Sequence, residues 1–128
     1  MNDISTQEDI KLLVDTFYGT VRKDELLGPI FNERIKDKWP EHFQKLYGFW
    51  QMVLFQDPSY QGRPFPPHAN LPIDSSHFQR WLQIFNSTVD RLFAGEKAKE
   101  AKWKAGNMAE VFRSKIEYIR STGQNPIQ

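Results

Sequence analysis

The sequence contains no cysteine. That excludes disulfides, thiolate ligands to iron or zinc, iron–sulfur clusters and cysteine nucleophiles. Its glycines stand singly, with no Gly-Gly pair, so no glycine-rich loop can cradle a phosphate. There is no Gly-x-Ser-x-Gly elbow, and the serines fall at expected caps and turns. No apolar run approaches the ~20 residues a membrane helix requires. Met1 to Ile10 is polar and acidic rather than a basic stretch leading into an apolar one, so it does not read as a secretory leader. An excess of one charge is also missing. Seventeen Lys and Arg stand against sixteen Asp and Glu, which leaves no electrostatic footprint for nucleic acid or anionic membranes. The Lys97, Lys99, Lys102 and Lys104 run is interrupted by Glu96 and Glu100 and reads as a solvated helix face. The three histidines form no Glu-x-x-His or His-x-x-x-His pair, so no multi-histidine metal site is expected. What remains is a cytoplasmic chain of 128 residues, expected to form one domain over residues 1–128 with its core over about 8–122.

What the chain has in quantity is aromatic rings: ten Phe, four Tyr and four Trp, 14% of its residues. In so short a chain, that suits either a core with few side chains to fill it or a cavity for a flat ligand.

The hydrophobic pattern is helical throughout. Ser5-Thr6-Gln7-Glu8 has the form of a capping box. Ile10, Leu13, Val14, Phe17, Tyr18 and Val21 then recur at steps of three and four, predicting a helix to about Lys23. Gly28-Pro29 breaks that pattern and leaves Ile30 and Phe31 on a connector. Pro40 suits the first turn of a second helix reaching about Phe55. That helix has two apolar stripes, one through His42, Leu46, Phe49 and Val53, the other through Phe43, Tyr47, Trp50 and Leu54. A helix apolar on most of its circumference is covered on more than one side. Gln56 to Pro67 is dense in proline and predicts an ordered, irregular loop. Between His68 and Pro72 at most one helical turn fits. Asp74, Ser75 or Ser76 caps a third long helix that carries Phe78, Trp81, Leu82, Phe85 and Val89 and ends at Gly95. The last runs from about Glu96 to Thr122, with Gly123 as its stop. The fold class is all-α, about four main helices and a long central loop.

Four residues stand out chemically. His68 is held between Pro67 and Pro72 at the end of the loop, where an imidazole can be aimed. Tyr18, His42 and Trp81 each place a polar group on an apolar face of a different helix. One isolated imidazole opposite several hydrogen-bond donors is what a haem pocket requires, and it also suits a helical bundle whose core polar groups satisfy one another. His77 lies in a first helical turn, a boundary position.

Phe17-Tyr18-Gly19-Thr20-Val21-Arg22-Lys23-Asp24 and Leu27-Gly28-Pro29-Ile30-Phe31 resemble the truncated haemoglobins of group III, the two-over-two globin family. The likeness continues in Trp39-Pro40-Glu41-His42, Phe49-Trp50, Tyr60-Gln61-Gly62-Arg63-Pro64, Pro67-His68-Ala69-Asn70-Leu71 and His77-Phe78-Gln79-Arg80-Trp81-Leu82. These blocks occur in order from about residue 8 to 112. Groups one and two carry glycine pairs at helix boundaries, and their absence here fits the third group. The resemblance implies a shortened globin fold, two helix pairs around one haem b (iron protoporphyrin). By the same resemblance His68 is the proximal iron ligand and Tyr18 the distal tyrosine. Phe31 is the aromatic wedged on the porphyrin, His42 the distal histidine, Leu46 its apolar neighbour one turn on, and Trp81 the distal tryptophan. The implied function is binding of dioxygen and other diatomic ligands, nitric oxide and carbon monoxide among them. Distal donors slow ligand release and so suit redox, nitric oxide or peroxide chemistry better than oxygen delivery. Such turnover needs an unidentified reductase, because the chain carries no flavin or nicotinamide motif. The competing reading from another class is a haem-free helical interaction module, supported by the amphipathic first and last helices.

Overall fold

A capped amphipathic stripe begins the fold. In the computed structural model, which describes residues 1–58 and 71–123, helix α1 spans Gln7–Val21. All six stripe residues, from Ile10 to Val21, are buried. Its capping box lies one residue later than the sequence suggests. Thr6 Oγ1 accepts from the Asp9 N–H at 3.1 Å, and the Asp9 carboxylate accepts from the backbone N–H groups of Ser5 and Thr6. One carboxylate thus serves two orphan donors, and the chain just before the helix is left free to bury Ile4.

The segment expected to be a connector is helical: α2 spans Gly28–Ile35. Pro29 sits in its first turn, where a missing N–H costs nothing. The Asp24 carboxylate accepts from the N–H groups of Leu26 and Leu27 at 3.1 and 3.0 Å. Gly28 is there for clearance, because a Cβ would lie 2.7 Å from the Arg22 carbonyl oxygen. The glycine–proline pair starts a helix against α1.

Helix α3, Trp39–Phe55, has Pro40 in its first turn and ends at Gln56 in the left-handed region. Helix α4, Ser75–Leu92, is capped by Asp74 and ends before Gly95, because Gly95 instead begins α5, Glu96–Thr122. Gly123 ends α5 as expected. Ala98, Ala101, Ala105 and Ala109 give α5 a small-residue buried face, which permits close approach of a neighbouring helix. The helices pack as α1 on α3 and α4 on α5, with α1 also against α4 and α3 against α5. No strand occurs among the described residues. Trp50 of α3 stacks on Phe85 of α4 with centroids 5.0 Å apart, which explains one of the two apolar stripes of α3. No helix is long and apolar enough to cross a membrane among the described residues.

Buried side chains form two clusters. The larger joins the four long helices around Phe17, Trp50 and Phe85, and the smaller gathers Leu71, Ile73 and Ile116. Neighbouring residues of one helix divide between them. Phe31 and Trp81 lean on the larger cluster, while Ile30 and Phe78 lean on the smaller.

Candidate functional site

Tyr18 lies at the centre of the site. The helical step that buries Val14 and Val21 also buries Tyr18, which is 5% exposed. Burial pushes its phenol up to about 12, and a hydrogen bond from the Trp81 side chain pulls the other way. An indole N–H only donates, so Trp81 gives its proton to the Tyr18 oxygen. The Tyr18 hydroxyl hydrogen is then available to a second acceptor. Trp81 reaches this point because α4 lies against α1, with its ring edge-on to Phe17 at 5.2 Å and stacked on Phe85 at 5.5 Å.

Two further helices meet the same ring. Phe31 from α2 stands edge-on to Tyr18 at 6.1 Å. His42 from α3 stands edge-on at 6.3 Å. Trp39 and Phe43, also from α3, approach at 6.3 and 6.4 Å. Leu46, one turn beyond His42, is half-buried against the larger cluster. The structure therefore gathers Tyr18, Phe31, His42 and Trp81, which the chain scatters over 64 positions, into one aromatic patch with a hydroxyl, an imidazole and an indole. His68 lies outside the described residues. Within the described residues no cluster of three His, Asp or Glu side chains could hold a bare metal ion.

His77 is elsewhere employed. Its Nδ1 accepts from the Asp74 backbone N–H at 3.1 Å and completes the capping box of α4. The Asp74 carboxyl is held down to about 2, chiefly by the Ser76 hydroxyl and backbone N–H and then by His77.

Two supports of the site escaped sequence reasoning. Asp24, with its side chain 4% exposed, pairs with Arg80 at 2.6 Å, joining the α1–α2 turn to the residue before Trp81. Burial pushes the Asp24 carboxyl up, but the Arg80 hydrogen bond and the Leu27 and Leu26 N–H groups outweigh it and hold the group below its usual range. Asn32 is the other support: its side chain donates to the Arg22 carbonyl at 3.1 Å and accepts from the Trp39 indole at 3.2 Å. Neither pairing leaves a local sequence signal, since the partners are far apart and each residue is ordinary for an exposed position.

The apolar lining suits a flat group such as a haem. Phe31, Leu46, Phe49, Val53, Trp81 and Met108 are apolar yet only partly buried against the larger cluster, and Ile30, Phe78 and Phe112 stand likewise on the smaller. Helices α2, α4 and α5 thus carry incompletely covered apolar side chains toward both clusters, which suits a flat apolar body beside a polar patch.

Comparison with known proteins bears on the same point. The sequence profile of the bacterial-like globins matches residues 1–115. A group 3 truncated hemoglobin of Campylobacter jejuni is 33% identical over 114 residues, covering 86% of this chain and 90% of the relative. The crystal structure of the group III truncated hemoglobin from Campylobacter jejuni superposes with a TM-score of 0.81, covering 89% of this chain and 94% of that one.

Proposed function

The chain belongs to the group III truncated haemoglobins of the bacterial-like globin family, a membership that implies a haem, and from that premise we propose that it binds dioxygen and nitric oxide at a polar distal site for redox chemistry. When bound, haem b supplies an iron at which diatomic ligands coordinate. His68 would be the protein ligand to that iron, and Phe31 would pack on the porphyrin. Tyr18, His42, Leu46 and Trp81 face the opposite side, and the cytoplasm is the setting in which a reductase meets the protein.

The observation that carries this reading is the state of the Tyr18 hydroxyl. It is buried on the inward face of α1, beside the Trp81 side chain. A buried phenol with no further task costs about 1–3 kcal/mol if its proton finds no partner, and phenylalanine would fill the space without that cost. An acceptor with anionic character gives the proton a task. Trp81 then works through Tyr18, fixing the oxygen so that the O–H points at the ligand. His42, half-buried at the edge of the patch, controls access. Such donors retain dioxygen and polarise it, which favours oxidation of nitric oxide or peroxide chemistry over oxygen delivery.

The test is the release of two gases from Tyr18→Phe. A hydrogen bond to a partly charged acceptor contributes about 1.5–3 kcal/mol. Its loss should speed dioxygen dissociation by roughly one to two orders of magnitude, since about 1.4 kcal/mol is tenfold. Carbon monoxide is a poor acceptor, so its release should change far less. Equal effects on both gases contradict a donor role for Tyr18.

A further inference from the structure

A second site lies behind the wall of the first. A cleft of about 470 Å³ opens between the end of α1, the α2–α3 turn and the first turns of α3. Its charged lining is Arg22, Lys36 and Asp37, and its aromatic lining is Trp39, Phe43 and Tyr47. Its volume falls in the range of small-molecule sites.

The aromatic wall is held in place. The Trp39 indole N–H is tied to Asn32 at 3.2 Å, and its ring carries the Arg22 guanidinium 4.6 Å from its centroid. Tyr47 stacks on Phe43, 6.2 Å between centroids and 17° from parallel, and its hydroxyl donates to the Asp15 carboxylate. Rings whose orientation is fixed by their own hydrogen bonds present a ready surface to another flat ring.

The cations are available. Several basic side chains are committed to carboxylates, as in Arg80 with Asp24, Lys102 with Asp90 and Arg113 with Glu110. Among the described residues Arg22 and Lys36 form no ion pair. Lys36 also occupies a backbone conformation, φ 58 and ψ −121, that suits glycine. A lysine at a position where glycine is cheaper points to a use for its side chain. With Asp37 the three charges sum to one positive.

We propose that this cleft binds a small aromatic monoanion, its ring against Phe43 and Tyr47 and its carboxylate between Arg22 and Lys36. Such a ligand matches the wall in flatness and the rim in charge. The cleft shares Trp39 with the first site, where that ring stands 6.3 Å from Tyr18 and 5.7 Å from His42. The inference does not depend on the haem reading, since none of the residues lining the cleft is assigned to hold the haem or its ligand.

The experiment is a titration of the purified protein with 4-hydroxybenzoate, followed by backbone-amide and indole NMR, with carbon monoxide and reductant present so that any iron is diamagnetic. The uncharged 4-hydroxybenzyl alcohol is titrated in parallel. The anion should shift the Trp39 indole signal and the Arg22 and Lys36 amides saturably, with a Kd below about 1 mM, corresponding to roughly −4 kcal/mol. The alcohol should bind at least tenfold more weakly. Lys36→Gly provides the control for folding, because it relieves the backbone while removing the charge. It should unfold at a temperature no lower than the parent and lose at least tenfold in affinity, as should Arg22→Gln. No saturation at high millimolar concentration, equal binding of the neutral alcohol, or unchanged affinity in both variants overturns the proposal.

Discussion

At the scale of single residues, Tyr18 and Trp81 act as one unit. Trp81→Phe removes the indole donor beside the Tyr18 oxygen. Dioxygen release should therefore quicken in Trp81→Phe, and the double variant with Tyr18→Phe should fall short of the product of the two single effects, because both substitutions break one chain of contacts. Dissociation rates of the three variants measure this directly, and full multiplicativity contradicts the linkage. His42 is a different case. Its ring meets that of Tyr18 edge-on, with centroids 6.3 Å apart. His42→Leu should alter the association rate of dioxygen more than its dissociation rate, as read by flash photolysis and stopped flow. A large rise in release with unchanged association contradicts the gate.

At the scale of elements, stability rests on a few carboxylates that cap helix ends from a distance. Asp3 is one. Its two oxygens accept from the N–H groups of Lys97 and Ala98 at 2.9 Å each, capping α5 from the other end of the chain. Gly95 makes room for it, with φ 141 and a Cβ position 2.5 Å from the Asp3 side chain. Gly95→Ala should cost about 1–3 kcal/mol through the clash and the backbone strain, and Asp3→Ala about 1 kcal/mol through the lost cap, both read by denaturant melts. Asp24 is the other. Its carboxyl lies below its usual range when folded, so its contribution is full above the unfolded value of about 3.9 and is lost as pH falls through the folded value. Asp24→Asn should lower stability by about 1–2 kcal/mol at neutral pH. It should also flatten the decline of the thermal midpoint below about pH 4 relative to the parent. An equally steep acid limb in the variant contradicts the assignment. The elements themselves were mostly legible, because burial on one face imposes its period on the residues, as the stripe from Ile10 to Val21 and the limits of α5 show. Helix α2 was not legible. Glycine followed by proline reads as a break in a one-dimensional pattern, and only the closeness of the Arg22 carbonyl and the Asp24 cap turn it into a start.

At the scale of the whole molecule, the helices bring three polar groups from α1, α3 and α4 to one patch inside an aromatic wall. The residues of that patch were legible because polar groups on apolar stripes are conspicuous. Their relation was not: that Trp81 spends its proton on Tyr18, and that Asp24 and Asn32 tie α2 and α4 into register, depends on distances between residues far apart in the chain. All of this arrangement has a purpose only if a haem stands against it with His68 as its iron ligand. The direct measurement is the optical spectrum of the purified protein, supplied with haem, in its ferrous and carbon monoxide forms, alongside His68→Ala and His77→Ala. The parent and His77→Ala should show the same strong absorption near the blue edge of the visible, shifting when carbon monoxide is added, because His77 caps α4. His68→Ala should lose most of its haem or recover a normal spectrum only with added imidazole. A parent protein that stays colourless with haem supplied, or a His68→Ala variant indistinguishable from it, contradicts the account.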